Sequence, residues 1–231
     1  NYAFLNPANP LDAWLDEDND GASNVYEINI GNLPNQADEY TNLNLRDYAQ
    51  GKEGRYIYAR DEDLSDERGI LIIDQIYLPD TNTYLHTTNG QHYEVAQTDR
   101  GLEILFSGDI LMSAHRNDVL LPASMPQGGA ITYENYHGGL IQFDAMSQTK
   151  TLQLSNTGMF SINGRSYPAV TITSFNSGSP EDVITETYAE GWGLVEVNGF
   201  TLVRFIPLHD NEAVVSSDAE EKIIDDEPVE Q

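Results

Sequence analysis

The chain of 231 residues contains no cysteine, which excludes disulfides, thiolate metal sites and a cysteine nucleophile. Cations are scarce as well: 11 Lys and Arg stand against 38 Asp and Glu, for a formal charge of −27. Only Lys52, Lys150 and Lys222 are lysines. A surface of that sign repels a phosphate backbone or an anionic membrane, so neither is an expected partner. Long apolar runs are also missing. The longest, GILIIDQIYL at 69–78, falls far short of the roughly 20 residues that cross a bilayer. No G-x-S-x-G, H-E-x-x-H or phosphate loop occurs, which removes the motif-based routes to a hydrolase, a zincin or a nucleotide enzyme.

What the chain does have is an uneven distribution of acid. Residues 1–50 are rich in Asn, Asp and Pro, 51–208 alternate like strands, and 209–231 form a tail with nine acids and one lysine. These are read as an N-terminal segment, an antiparallel β domain and an acidic tail that is expected to be disordered unless it docks through VV (214–215) or II (223–224). The chain opens on Asn1 without a signal peptide; the expectation is a mature or trimmed piece of an exported protein. Low Lys with high acid suits a salty or calcium-rich medium outside the cytoplasm, so a secreted, periplasmic or cell-surface location is expected.

The β domain is signalled by Asn-Gly at 89–90, 163–164 and 198–199, each between alternating apolar stretches. Asn-Gly tolerates the positive φ angles of a type I′ turn, whose twist matches paired antiparallel strands. Strands are expected at 55–60, 69–78, 83–87, 92–97, 101–106, 109–114, 139–145, 149–155, 168–175, 183–189 and 192–206. The fold class is therefore all-β, a curved antiparallel sheet or half-barrel built of hairpins. Tyr84, Val95, Leu194 and Phe205 should face a common interior, and Trp192, Leu194, Val203 and Phe205 should share one face of the last hairpin. That interior is expected to be filled.

The stretch LDEDNDGASNVYE (15–27) meets the demands of a calcium loop position by position. Calcium takes six to eight oxygens, supplied in a twelve-residue loop from positions 1, 3, 5, 7, 9 and a bidentate Glu at 12, with Gly at 6. From Asp16 these are Asp18, Asp20, the carbonyl of Ala22, Asn24 (directly or through water) and Glu27, with Gly21 at the turn. Gly and Glu at those two positions are hard to obtain by chance in an acidic turn. Ser23 stands where a paired loop carries an apolar residue, and Pro7 and Pro10 interrupt the entering helix. A lone loop results.

The run continues as INIGNLPNQAD to Asp38, and the whole of 16–38 resembles the calcium-binding repeat of the thrombospondin type 3 kind found in exported bacterial proteins. The resemblance covers about a tenth of the chain and implies Ca2+ and an extracytoplasmic life, not an activity. DVLLPASMPQGGAITY (118–133), GMFSINGRSYPAVTIT (158–173) and ETYAEGWGLVEVNGF (186–200) resemble exported bacterial proteins and lipoproteins of unassigned function, whose curved sheets are similar to the half-barrels of periplasmic lipoprotein carriers.

Other candidates are weaker. DEDLSDERG (61–69) lacks the turn Gly and the closing acid, and reads as a solvated loop. In the 89–90 hairpin His86 should face Tyr93 and Thr87 should face His92, which puts the two imidazoles on opposite faces. Ser113, His115 and Asp118 lie too close in sequence to converge as a triad. The reading is a non-catalytic, exported calcium-binding β protein that acts as a binding or interaction module with a protein or glycan partner at the cell surface. A structural subunit of a surface assembly is the alternative, and a polysaccharide-acting enzyme comes third.

Overall fold

The computed structural model describes residues 12–13, 15–60, 69–88, 91–109, 113–116, 118–138, 146–177, 179–208 and 214–215. Its helices are α1 (Asn24–Ile30) and α2 (Arg46–Ala49). The strands are β1 (Asn42–Asn44), β2 (Gly54–Ala59), β3 (Ile70–Leu78), β4 (Thr83–Thr88), β5 (Gln91–Gln97), β6 (Gly101–Asp109), β7 (Ser113–Arg116), β8 (Asp118–Pro122), β9 (Ser124–Pro126), β10 (Ala130–Gly138), β11 (Met146–Ile162), β12 (Arg165–Asn176), β13 (Ser179–Ala189), β14 (Gly193–Val197), β15 (Phe200–Pro207) and β16 (Val214–Val215). Among the described residues no helix is long and apolar enough to cross a membrane.

Neighbours pair antiparallel in the order β14-β13-β12-β11-β10-β7-β6-β5-β4-β3-β2-β15, and β15 returns to β14, so 12 strands form a nearly closed barrel-like sheet. Closure rests on two residue pairs, Glu196 with Thr201 and Val197 with Phe200. Beyond them β14 stays with β13, while β15 continues along β2 and takes β16 onto its other edge through Arg204–Val215 and Phe205–Val214. β1 and β9 pair as a separate two-stranded sheet whose Met125 and Leu43 pack with barrel residues.

Turn chemistry drives this topology. Asn163 and Gly164 have φ of 51° and 71°, and Asn198 and Gly199 have 48° and 79°, the left-handed pairs that a type I′ hairpin needs. Asn89-Gly90, the expected strand at 139–145, residues 61–68 of the second acidic cluster and the tail other than 214–215 lie outside the described residues. The strand expected at 109–114 is instead the end of β6 and the start of β7.

Apolar side chains fill the interior in two clusters. One joins Leu45, Val95, Leu121, Met125, Leu152, Leu154, Val170, Ile172 and Tyr188, with Tyr48 and Leu194 against it. The other joins Tyr56, Tyr58, Trp192, Val195, Leu202 and Phe205. Of the four residues expected to face one interior, Val95 and Leu194 join the first cluster, Phe205 joins the second, and Tyr84 pairs with Val95 and is half-buried. Val203 does not share the inward face of Phe205. A bulge between Leu202 and Arg204 makes Val203 the extra residue, so Leu202 and Phe205 point inward opposite Tyr58 and Tyr56. One added residue reverses the alternation that the sequence pattern assumes. The space left between the clusters, lined by Tyr56, Gln75, His86, Glu186, Tyr188 and Trp192, is about 60 Å³, well below the roughly 300 Å³ of a small-molecule site.

Candidate metal centre

The acidic loop folds by satisfying its own backbone. The amide of Asp20 donates to Asp16 Oδ1 at 3.2 Å and to Asp18 Oδ1 at 3.3 Å, Gly21 N donates to Asp16 Oδ2 at 2.8 Å, and Ala22 N donates to Asp20 Oδ1 at 2.9 Å. Asp side chains that bond the backbone two or more residues on are the usual means of bending a chain this sharply. Gly21, with φ of 98°, supplies the left-handed turn that the loop's sixth position requires. Helix α1 then starts after Ser23 and ends at Gly31 in the left-handed conformation, where Gly31 N and Asn32 N bond the carbonyls of Ile28 and Glu27. That helix carries Asn24 and Glu27 back toward the loop.

Two groups of carboxylates converge. Oxygens of Asp16, Asp18 and Asp20 lie within 4.8 Å of one another, and so do those of Asp20, Glu27 and Asp38. Asp20 belongs to both. Glu27 is fully buried, and among the described residues neither of its carboxylate oxygens has a hydrogen-bond partner; Asp18 Oδ2 is likewise buried without one. Burial pushes the Glu27 carboxyl up to about 7, helped by the charges of Asp18, Asp20, Asp16 and Asp38. Burial, then the charge of Asp20, raises Asp18 as well. A buried carboxylate without donors is costly, and carboxylate neighbours make it costlier. A cation removes both penalties, and an all-oxygen donor set suits a hard one such as calcium, magnesium or manganese.

The expected ligand set is placed as follows. Asp16, Asp18, Asp20 and Glu27 come together. Ala22 sits directly behind the loop, fully buried and bridged to Gly129. Asn24 is buried with its side chain engaged in the loop's own closure: Oδ1 accepts from Glu17 N at 3.3 Å, and Nδ2 donates to the Asp12 carbonyl at 2.7 Å. It clasps the entering chain. Asp38, absent from the ligand set inferred from loop spacing, joins the cluster: its amide donates to Asp20 Oδ2 at 2.7 Å and its Oδ2 accepts from Asn32 Nδ2 at 2.6 Å. Its only signal in the sequence was its place at the end of the repeat-like run. An open polar cleft of about 460 Å³, lined by Asp16, Asn19, Asp20, Asn42 and Thr132 among others, runs between the loop and β10.

Residues 61–68 of the second acidic cluster and the side chains of Ser113 and His115 lie outside what the structure describes. His86 faces Tyr93 and Thr87 faces His92, with Thr87 Oγ1 2.9 Å from His92 Nδ1. Asp118 is held by Lys150 Nζ at 2.9 Å inside the barrel. There Tyr188 also donates to Glu186 Oε2 at 3.2 Å, burial raises the Glu186 carboxyl, and burial lowers His86 to about 4.

No protein-family model, curated protein or solved structure matches the chain. The functional reading therefore rests on the site itself.

Proposed function

We propose that this chain is an exported, non-catalytic calcium-binding protein whose barrel serves as a binding or interaction module at the cell envelope or outside the cell. The observation that carries the reading is Glu27, buried with both oxygens unpartnered and facing Asp20 and Asp38. Calcium is favoured over magnesium because five carboxylates, from the loop, helix α1 and Asp38 beyond it, supply many oxygens, whereas magnesium demands a tight octahedron and keeps its waters. The resemblance of residues 16–38 to a thrombospondin type 3-like repeat supports the same ion. The filled interior favours a surface partner, protein or glycan, over an enclosed small ligand. Native mass spectrometry tests the ion directly: the full chain should gain calcium mass that Glu27→Gln largely loses, and an unchanged mass in calcium would refute the site.

A structural subunit of a surface assembly is the second reading, favoured by the pairing of Val214–Val215 with the edge of β15. A chain truncated after Leu208 would then change its oligomeric state in light scattering, whereas identical masses per particle would leave the module reading in place.

A further inference from the structure

Ser23 is the joint between the acidic loop and the barrel. It is fully buried, follows Ala22 and precedes the helix that delivers Glu27. Its amide and its hydroxyl both donate to the Gly128 carbonyl, at 3.1 and 2.9 Å, and its Oγ accepts from Gln153 Nε2 at 3.0 Å. Gln153 belongs to β11, opposite Ala130 of β10, and is itself only 7% exposed. Gly128 N donates to the Leu154 carbonyl and Leu154 N to the Gly129 carbonyl, each at 3.0 Å, while Ala22 bridges to Gly129. Gly128, with φ of 75°, has the Tyr26 ring where any β-carbon would stand. The loop thus lies directly on a glycine pair with no side chain between.

We infer that the loop is a metal-set latch, in which cation binding and docking of the loop on the β9–β11 face are coupled through Ser23 and Gln153. This rests on the cation reading above. Without a cation the carboxylates of Asp16, Asp18, Asp20, Glu27 and Asp38 repel one another, and Glu27 relieves the strain most simply by moving out. Its amide is bonded to the Ser23 carbonyl at 3.1 Å, so a shift of Glu27 pulls Ser23 off Gly128 and Gln153. Coupling of this kind is reciprocal: whatever the ion gives to docking, docking gives to ion affinity. Ser23 and Gln153 are therefore positioning residues that act on the ion through Glu27.

The test uses the full chain, calcium alone as the probe, and two readouts. In hydrogen exchange, calcium should slow the amides of Ser23, Gly128 and Leu154 as well as the loop's own. In calorimetry, Ser23→Ala and Gln153→Ala should each weaken calcium by roughly tenfold, within the usual range for coupled sites. The double variant should cost little more than either single change, because the two side chains share one hydrogen bond. Ser166→Ala, exposed near the start of β12 and away from Gln153, should leave affinity unchanged and control for general loosening. Unaltered affinity in both variants, with protection confined to residues 15–38, would overturn the latch while leaving the cation site standing. Failure of the unaltered chain to bind calcium would overturn both.

Discussion

A carboxylate oxygen of Asp20 and one of Glu27 lie within 4.8 Å of each other, and neither Glu27 oxygen has a hydrogen-bond partner. Replacing Glu27 should consequently have opposite effects with and without calcium. In chelator above pH 7, where the Glu27 carboxyl has lost its proton, Glu27→Gln removes a buried charge from among four others, and the melting temperature should rise by about 2–4 °C, the equivalent of about 1 kcal/mol in a chain of this size. In calcium the variant should melt below the unaltered chain, because it lacks the bidentate ligand. Differential scanning calorimetry in the two buffers checks the reversal.

The pH dependence of the calcium-free protein follows from the same carboxyl. Its value rises from 4.5 to about 7 on folding, so the folded state holds a proton that the unfolded chain has already released. The stability this contributes is full below 4.5 and is lost as the pH climbs through 7. In chelator, the gap between Glu27→Gln and the unaltered chain should therefore open across that window. A gap independent of pH would mean that Glu27 is not held neutral.

His86 works in the other direction. Burial lowers it from 6.5 to about 4, so the unfolded chain takes up the proton first. Its contribution is full above 6.5, falls as the pH drops toward 4, and levels off below. His86→Gln should flatten the acid limb of a plot of melting temperature against pH by several degrees, with little effect at pH 8.

Gly101 tests the barrel independently of the ion. It has φ of 137°, and a β-carbon there would meet the backbone of Leu121, Pro122 and Ala123. Gly101→Ala should destabilise by about 3 kcal/mol or more. Gly158, with open space around it, should tolerate alanine within about 0.5 kcal/mol. Urea unfolding of the two variants compares them.

The readable parts of the sequence were those in which local chemistry decides structure. Asn163-Gly164 and Asn198-Gly199 marked their turns because few other pairs accept two positive φ angles. The spacing from Asp16 to Glu27 marked a place where carboxylates converge, because the acids and the Gly21 turn are set within twelve residues. Long-range features left no such trace. Strand β10 was not anticipated, since AITYENYHG alternates only weakly. Bulges near Val203 and Ser155 shift the register by a residue that only the partner strands define. Asp38 reaches the cluster through its amide bond to Asp20, and Asn24 serves as a clasp through Glu17 and Asp12. The first depends on how the chain after α1 folds back and the second on how the chain enters the loop from Asp12, neither of which the ligand spacing contains.

Isothermal titration of the chelator-treated full chain with calcium tests whether the Asp16–Asp38 cluster binds the ion. Binding should be saturable, strongly weakened in Glu27→Gln and measurably weakened in Asp38→Asn, whose carboxylate shares a cluster with Asp20 and Glu27. No heat of binding, together with identical melting temperatures in calcium and in chelator, would contradict it.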